Sequence, residues 1–296
     1  MSDNENTTKA LLQVSFKVTG IGLNIRDEAM EAELARNHGM DAKRVRTTKK
    51  ILAGAVDPIN SEVGKIRRFL KLNSFEGIGG SRIMVAAEAD RIRRQVNQHI
   101  AVAVEALGQL IADWPTLIEK ERQELNGRFD ENNYPKSTEA LRRAFSFELE
   151  IVPMPDPGQF RLIQELTEAE REDMAQRLEV QIQAARTNME TETIRRTLDL
   201  IKEVADTLGD PDKPIVDSDG RKGCIPRLRE HLDRLTILNI ENNPMLDQLR
   251  TEAISALDLN SENLRTRSGR RSLTALAANN LHKKFESGFG NRAISA

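Results

Sequence analysis

The chain has 296 residues, of which 39% are hydrophobic, only 4% are aromatic and 30% are charged, with a formal net charge of −2. This composition favours long helices with narrow apolar stripes over one thick globular core. A single cysteine excludes an intramolecular disulfide framework and a multi-cysteine metal site, and no apolar run approaches the ~20 residues that a membrane-spanning helix needs.

The N-terminal segment MSDNENTTKA is polar and acidic, which is not the pattern of a secretory signal. A lone cysteine, Cys224, is typical of a reducing compartment. We therefore expect a soluble protein of the cytoplasm, with no membrane contact and with a disordered tail at residues 1–10.

Two segments have the alternating pattern of β-strands. Residues 11–23 and 145–152 place apolar side chains at every second position. Two separate strands are unstable alone in water, so we expect 12–18 to pair with 146–152 in a small sheet. Helices at 27–125 would then form an excursion whose base is closed by that sheet.

The segment at 27–125 contains several helix signals. Short helices are predicted at 27–37, at 41–53 behind Asp41 as N-cap, and from Asp57-Pro58 to about 73. The Gly-rich loop at 74–81 lacks the closing Lys-Ser/Thr of a phosphate-binding loop, so it is interpreted as a hinge between antiparallel helices. A first long helix follows at 82–113, and Trp114-Pro115 interrupts it.

A second long helix opens at Thr167, where Thr167 and Glu170 have the spacing of a capping box. Its apolar residues form two stripes with mostly three-and-four spacing, the first ending at Met189 and the second running from Ile194 to Leu208. The five-residue step between the stripes predicts a bend or a change of packing partner. Residues 210–223 are predicted to form a linker. Three further helices are predicted at about 225–239, 244–257 and 272–285.

These patterns predict an α+β fold, mainly α, with long antiparallel coiled-coil-like helices and a small β-sheet formed by an N-terminal strand and a central strand. The predicted organisation is a tail at 1–10, a strand, helical excursion and return strand at 11–165, a long helix at 166–209, a linker at 210–223, a C-terminal helical region at 224–286 and a flexible tail at 287–296.

No catalytic constellation stands out in the sequence. The four histidines are far apart and none lies in a zinc-binding pair, and no Gly-x-Ser-x-Gly elbow is present. Most carboxylates follow the surface spacing of helices. We therefore predict a protein that is not an enzyme and that uses no metal and no cofactor.

Charge is segregated along the chain. Residues 41–71 carry nine Lys/Arg against three acids, residues 265–296 carry seven against one, and residues 148–212 carry sixteen acids against seven bases. This segregation indicates contacts between copies of the chain or with a charged partner. The candidate contacts to nucleic acid or to an acidic partner are Lys43, Arg44, Arg46, Lys49, Lys50, Arg67, Arg68, Lys71, Arg265, Arg267, Arg270 and Arg271.

The strongest local pattern is FDENNYP at 129–135 followed by FSFELEIVPMPDPGQFR at 145–161. With KKIL at 49–52 and the segment at 228–250, it resembles a family of uncharacterised phage and prophage proteins. The resemblance implies a fold and no residue roles. It also implies a genomic neighbourhood of MoxR-like AAA+ ATPases and proteins with von Willebrand A domains.

The leading hypothesis is a phage-encoded helical scaffold or adaptor in the bacterial host cytoplasm. It would self-associate as a homo-oligomer and bind a protein partner, with an AAA+ ATPase or a von Willebrand A domain protein as the suspected one. The first alternative is a nucleic-acid-binding accessory protein of phage replication or recombination. A further alternative is an inhibitor of a host defence complex.

Overall fold

A computed structural model describes residues 9–20, 24–52, 54–215 and 223–293. Most of the predicted tail at 1–10, and residues 216–222 of the predicted linker, lie outside these ranges. The described strands are β1 Leu11–Thr19, β2 Asn24–Arg26, β3 Thr48–Lys50, β4 Phe75–Glu76, β5 Arg82–Val85 and β6 Ser146–Pro153. The described α-helices are α1 Glu28–His38, α2 Asp57–Asn73, α3 Ala89–Ala112, α4 Trp114–Leu125, α5 Thr138–Ala144, α6 Glu168–Gly209, α7 Cys224–Leu238, α8 Pro244–Ala256, α9 Ser261–Thr266 and α10 Ser268–Ala293.

The fold is mainly helical α+β, as predicted, and its larger sheet has the strand order β4-β5-β1-β6. The expected pairing of 12–18 with 146–152 is therefore confirmed. Ser15 contacts Glu150 at 3.3 Å and Thr19 contacts Ser146 at 2.9 Å. Since the partner numbers run in opposite directions, β1 and β6 are antiparallel.

The contacts divide the chain into two compact units. The first unit contains described residues 9–13, 75–88, 153–215 and 223–293. The second contains 14–74 and 89–152, apart from residues 21–23 and 53, which are not described.

The first unit is built on α6, a 42-residue helix opened by the predicted capping box at Thr167 and Glu170. Its C-terminal half packs against α7 and α10 around Ile201, Leu228 and Leu235, each with no measurable exposure. A second apolar cluster joins α6 to the β4–β5 hairpin through Met189, Phe75 and other buried residues. The helix thus buries a different stripe against each partner.

The second unit pairs α2 with α3 in antiparallel orientation. Nδ1 of His99 lies 2.7 Å from a carboxylate oxygen of the buried Glu62, and Arg91 donates to Asn73 at 2.7 Å. The core beside these helices contains Ile51, Ile59, Ala103, Trp114 and Leu141. The predicted interruption at Trp114-Pro115 is confirmed, because α3 ends at Ala112 and α4 starts at Trp114.

The FDENNYP segment has a structural explanation. The Tyr134 hydroxyl donates to the buried Glu121 carboxylate at 2.8 Å, and the ring stacks on Phe129 with centroids 5.2 Å apart. Arg122 lies over the other ring of this pair, 4.7 Å from the Phe129 centroid. Burial, followed by the hydrogen bond to Glu121, raises the pKa of Tyr134. The motif therefore fixes the turn after α4 to that helix.

The helix predicted at 41–53 is wrong. Residues Ala42–Arg44 form a 3-10 turn and Thr48–Lys50 form β3, which pairs with β2. The buried Glu31 carboxylate holds this arrangement, because it accepts hydrogen bonds from Arg26 at 2.7 Å and from the Thr47 backbone at 3.1 Å. The hydrogen bond from Arg26 lowers the pKa of Glu31. A long-range carboxylate contact therefore outweighs the local helix signal.

The start predicted for the first long helix is also wrong. Residues Arg82–Val85 form strand β5 paired with Phe75–Glu76, and α3 begins only at Ala89. The Gly-rich loop is consequently the turn of a β-hairpin rather than a hinge between helices. Gly79 and Gly80 have φ of 62° and 78°, a conformation that favours glycine in such a turn. The last helix, α10, is longer than predicted at both ends.

We expect Tyr134→Phe to lower the free energy of unfolding by about 1–3 kcal/mol, because it leaves the buried Glu121 carboxylate without its donor. Urea unfolding followed by Trp114 fluorescence would measure this, since Trp114 lies in the same apolar cluster. The double variant Tyr134→Phe/Glu121→Leu should recover part of the loss, because both polar partners are then removed together. A single variant as stable as the intact chain would contradict this role.

Candidate functional site

Eight of the predicted cationic contacts lie in the second unit. Lys43, Arg44, Arg46 and Lys50 are exposed around the 3-10 turn and β3, whereas Lys49 is partly buried and donates to the Arg128 carbonyl. The other three, Arg67, Arg68 and Lys71, are exposed on one face of α2. Only this second group shares one face of a helix.

The four C-terminal cations lie in the first unit and have different roles. Arg271 donates to the carbonyls of Thr207 at 3.0 Å, Leu208 at 3.1 Å, Asp210 and Lys213 at 2.9 Å. It therefore satisfies the backbone at the end of α6. Arg270 pairs with Asp258 at 2.9 Å. Arg265 and Arg267 are exposed at the end of α9.

A buried polar cluster in the first unit lies around His231, which the sequence had not singled out. Thr197 donates to the Thr193 carbonyl at 2.7 Å, and its oxygen is 2.8 Å from His231 Nε2. Because the hydroxyl has one proton, Nε2 must be the donor in the second contact. Burial, followed by the charges of Arg234 and Arg196, lowers the pKa of His231 to about 4.

The neighbouring charges of this cluster are paired. Arg234 contacts the buried Glu88 at 2.7 Å, and Arg196 contacts Glu192 at 2.8 Å while its guanidinium lies 4.5 Å from the Phe75 ring centroid. The hydrogen bond from Arg195 and the contacts of Arg196 lower the pKa of Glu192 to about 2. These contacts join α6 to α7 through Thr197 and His231, α7 to Glu88 through Arg234, and α6 to β4 through Arg196.

Described residues of the first unit line cavities of different character. One, of about 200 Å³, is lined by Glu203, Thr207, Cys224 and Arg227 among others, and burial raises the pKa of the Cys224 thiol. Another, of about 370 Å³, is apolar and is lined chiefly by Val85, Ala86, Ala87 and Ile237. Among the described residues, no three His, Cys, Asp or Glu side chains meet in a group suited to a metal ion.

Exposed apolar side chains provide the remaining candidate surface. Leu273 and Leu276 on α10 are 69% and 58% exposed. Residues three apart lie on the same side of a helix, so these two leucines form one apolar patch. We call them the α10 leucine pair.

No family model, curated protein or solved structure matches this chain, so the resemblance to phage proteins stays a prediction. Within the described residues, no individual helix has the length and apolarity needed to cross a bilayer. The bent pair Ala86–Ala112 and Trp114–Arg128 meets that requirement when its two members are taken together.

We expect the stability of the first unit to fall as the pH decreases from about 6.5 to about 4, because His231 binds a proton in this window in the unfolded chain and does not in the folded protein. The shift corresponds to about 3 kcal/mol. His231→Gln keeps a donor near Thr197 and should remove this part of the decline in urea unfolding followed by circular dichroism. The exposed His38→Gln is the control, and an unchanged pH profile in His231→Gln would contradict the assignment.

Arg271→Ala should lower the free energy of unfolding by about 1–3 kcal/mol, because it leaves carbonyl groups at the end of α6 without their donor. Arg267→Ala removes an exposed arginine four residues away and should change stability by less than about 0.5 kcal/mol. Equal thermal unfolding curves for the two variants would show that Arg271 is not a structural cap.

Proposed function

We propose that this chain is a non-enzymatic helical scaffold or adaptor that self-associates and binds a protein partner. The observation that supports the proposal is the α10 leucine pair. Single exposed apolar side chains are normal on a protein surface, but two on adjacent turns of one helix form the start of a helix-packing stripe.

The position of the pair distinguishes it from the other exposed apolar side chains. Val102 and Val104 on α3 are two residues apart, and Met174 and Val180 on α6 are six apart, so neither pair shares a helical face. Among the described large apolar side chains with high exposure, Leu273 and Leu276 alone have helical spacing of three or four.

A second copy of the chain is the occupant that fits this surface best. Lys283 is exposed two turns further along the same side of α10, and Arg265 and Arg267 are exposed just before the helix. The acidic excess at 148–212 supplies charges of the opposite sign in each copy. We propose a coiled-coil-like contact in which the leucines lie at the centre and these charges at the rim.

The remaining parts of the proposal depend on the sequence resemblance. They are a phage origin, a site of action in the bacterial host cytoplasm, and a partner that is an AAA+ ATPase or a von Willebrand A domain protein. A helical adaptor with an apolar docking patch is compatible with this setting. Mixing the purified chain with such an ATPase and measuring co-sedimentation would test that part separately.

We expect the intact chain to form oligomers at about 100 µM in sedimentation velocity, and Leu273→Glu/Leu276→Glu to raise the dissociation constant at least about tenfold. Burying a charged side chain against a partner without an ion pair is costly. The control Asn97→Glu/Gln98→Glu adds the same charge at exposed positions on α3, outside the acidic segment, and should keep the oligomer. A monomeric intact chain, or equal loss in both variants, would contradict the proposal.

A further inference from the structure

The outer face of α2 carries three cations in its C-terminal half and one carboxylate, Asp57, in its first turn. The side chains of Ile59, Val63, Ile66 and Leu70 are buried on the inner side of the helix. Opposite them are exposed residues, in chain order Asn60, Ser61, Gly64, Arg67, Arg68 and Lys71. Of the two acids of α2, the exposed Asp57 lies on this side of the helix but ten residues before Arg67, and Glu62 is buried against His99. We call this surface the α2 cationic face.

Two of its charged side chains have no partner within the described chain. Arg67 and Arg68 make no hydrogen bond, ion pair or ring contact with any residue that the structure describes. Cations near a helix C-terminus interact favourably with the helix dipole, but this effect falls off within the last turn. The dipole therefore accounts for Lys71 and leaves the two arginines unexplained.

Gly64 is a second, independent feature of the same face. Glycine in a helix interior is unfavourable relative to alanine. A β-carbon at Gly64 would meet no atom within 4 Å, so nothing in the described chain requires a glycine here. An absent side chain at this position lets a surface from outside the chain approach the helix backbone closely.

We propose that the α2 cationic face binds the phosphate backbone of duplex nucleic acid. The face extends about 16 Å from Asn60 to Lys71. The amide of Asn60 and the hydroxyl of Ser61 are donors suited to phosphate oxygens, and the cations neutralise their charge. Gly64 lies between these two groups, where the backbone approaches most closely.

The composition of the face favours a polyanion over a protein. Protein interfaces are centred on apolar or aromatic anchors, and the face has none between Asn60 and Lys71. Leu72, 63% exposed and four residues after Arg68, is a single apolar side chain at the C-terminal end of the face. Stacking of unpaired bases needs exposed aromatic rings, which the face also lacks, so a duplex backbone fits better than a single strand. Phosphate contacts of this kind are independent of base sequence.

Fluorescence anisotropy of a labelled mixed-sequence duplex of about 25 base pairs, titrated with the full chain, tests the proposal. Three phosphate contacts predict a slope of about −2.7 for log K against log salt, or about 40-fold weaker binding at 200 mM than at 50 mM salt. Arg67→Glu/Arg68→Glu/Lys71→Glu should weaken binding at least about tenfold and make the slope shallower by about 2 to 3.

Two further variants test whether binding depends on the α2 cationic face or only on the overall charge of the protein. Arg142→Glu/Arg143→Glu reverses two exposed arginines at the end of α5 and should change affinity less than about threefold. Gly64→Gln adds bulk without charge and should weaken binding at least about threefold while the melting temperature holds. The inference is overturned if the intact chain does not bind at 50 mM salt, or if the α5 variant loses as much affinity. It is equally overturned if the α2 reversal disrupts self-association and leaves DNA binding intact.

Discussion

The long helices of this protein depend on cations supplied from distant parts of the chain. Each helix ends with carbonyl groups that lack a partner inside the helix, and leaving such groups buried costs about 1–3 kcal/mol each. Arg271 donates hydrogen bonds to carbonyl groups at the end of α6, more than sixty residues away in sequence. Lys9 supplies α7, where its amine donates to the carbonyls of Thr236 and Asn239. Both contacts connect elements that are far apart in the sequence.

This constraint also decides which cations can bind a partner. Arg271 donates to four carbonyls, so little of its hydrogen-bonding capacity remains for a phosphate or a carboxylate. Arg67 and Arg68 are in the opposite situation, because they are exposed and make no contact within the described chain. Counting charges along the sequence treats these arginines as equivalent. In the fold, Arg271 is a structural residue, whereas Arg67 and Arg68 are available to bind a partner.

The features that the sequence predicted well are those whose signals are local. The capping box at Thr167 lies within one helical turn, and the break at Trp114-Pro115 comes from the proline itself. Strand alternation marked β1 and β6, and their pairing followed because isolated strands are unstable in water. Helices α7 and α8 were likewise predicted within a few residues. The short helix α9 was not predicted, and α10 extends into the predicted flexible tail at 287–296.

The features that the sequence missed depend on partners far away along the chain. Strand β5 consists of Arg82–Val85, a run that also suits the first turn of a helix, and only its pairing with β4 and β1 distinguishes the two. The buried Glu31 that accepts hydrogen bonds from Arg26 and Thr47 gives no local signal either. The same holds for His231, whose pKa depends on burial between α6 and α7 and on two arginines.

The two proposed surfaces have different physical origins, and salt distinguishes them. Raising the salt concentration displaces a polyanion from the α2 cationic face, because counterions are released on binding and must be recondensed on dissociation. The α10 leucine pair gains its affinity from apolar burial, which is little affected by moderate NaCl and is strengthened by sulfate. As the salt concentration rises, DNA binding should therefore weaken while self-association persists. Sulfate should weaken DNA binding and strengthen self-association, so it distinguishes the two activities of an adaptor that also binds DNA.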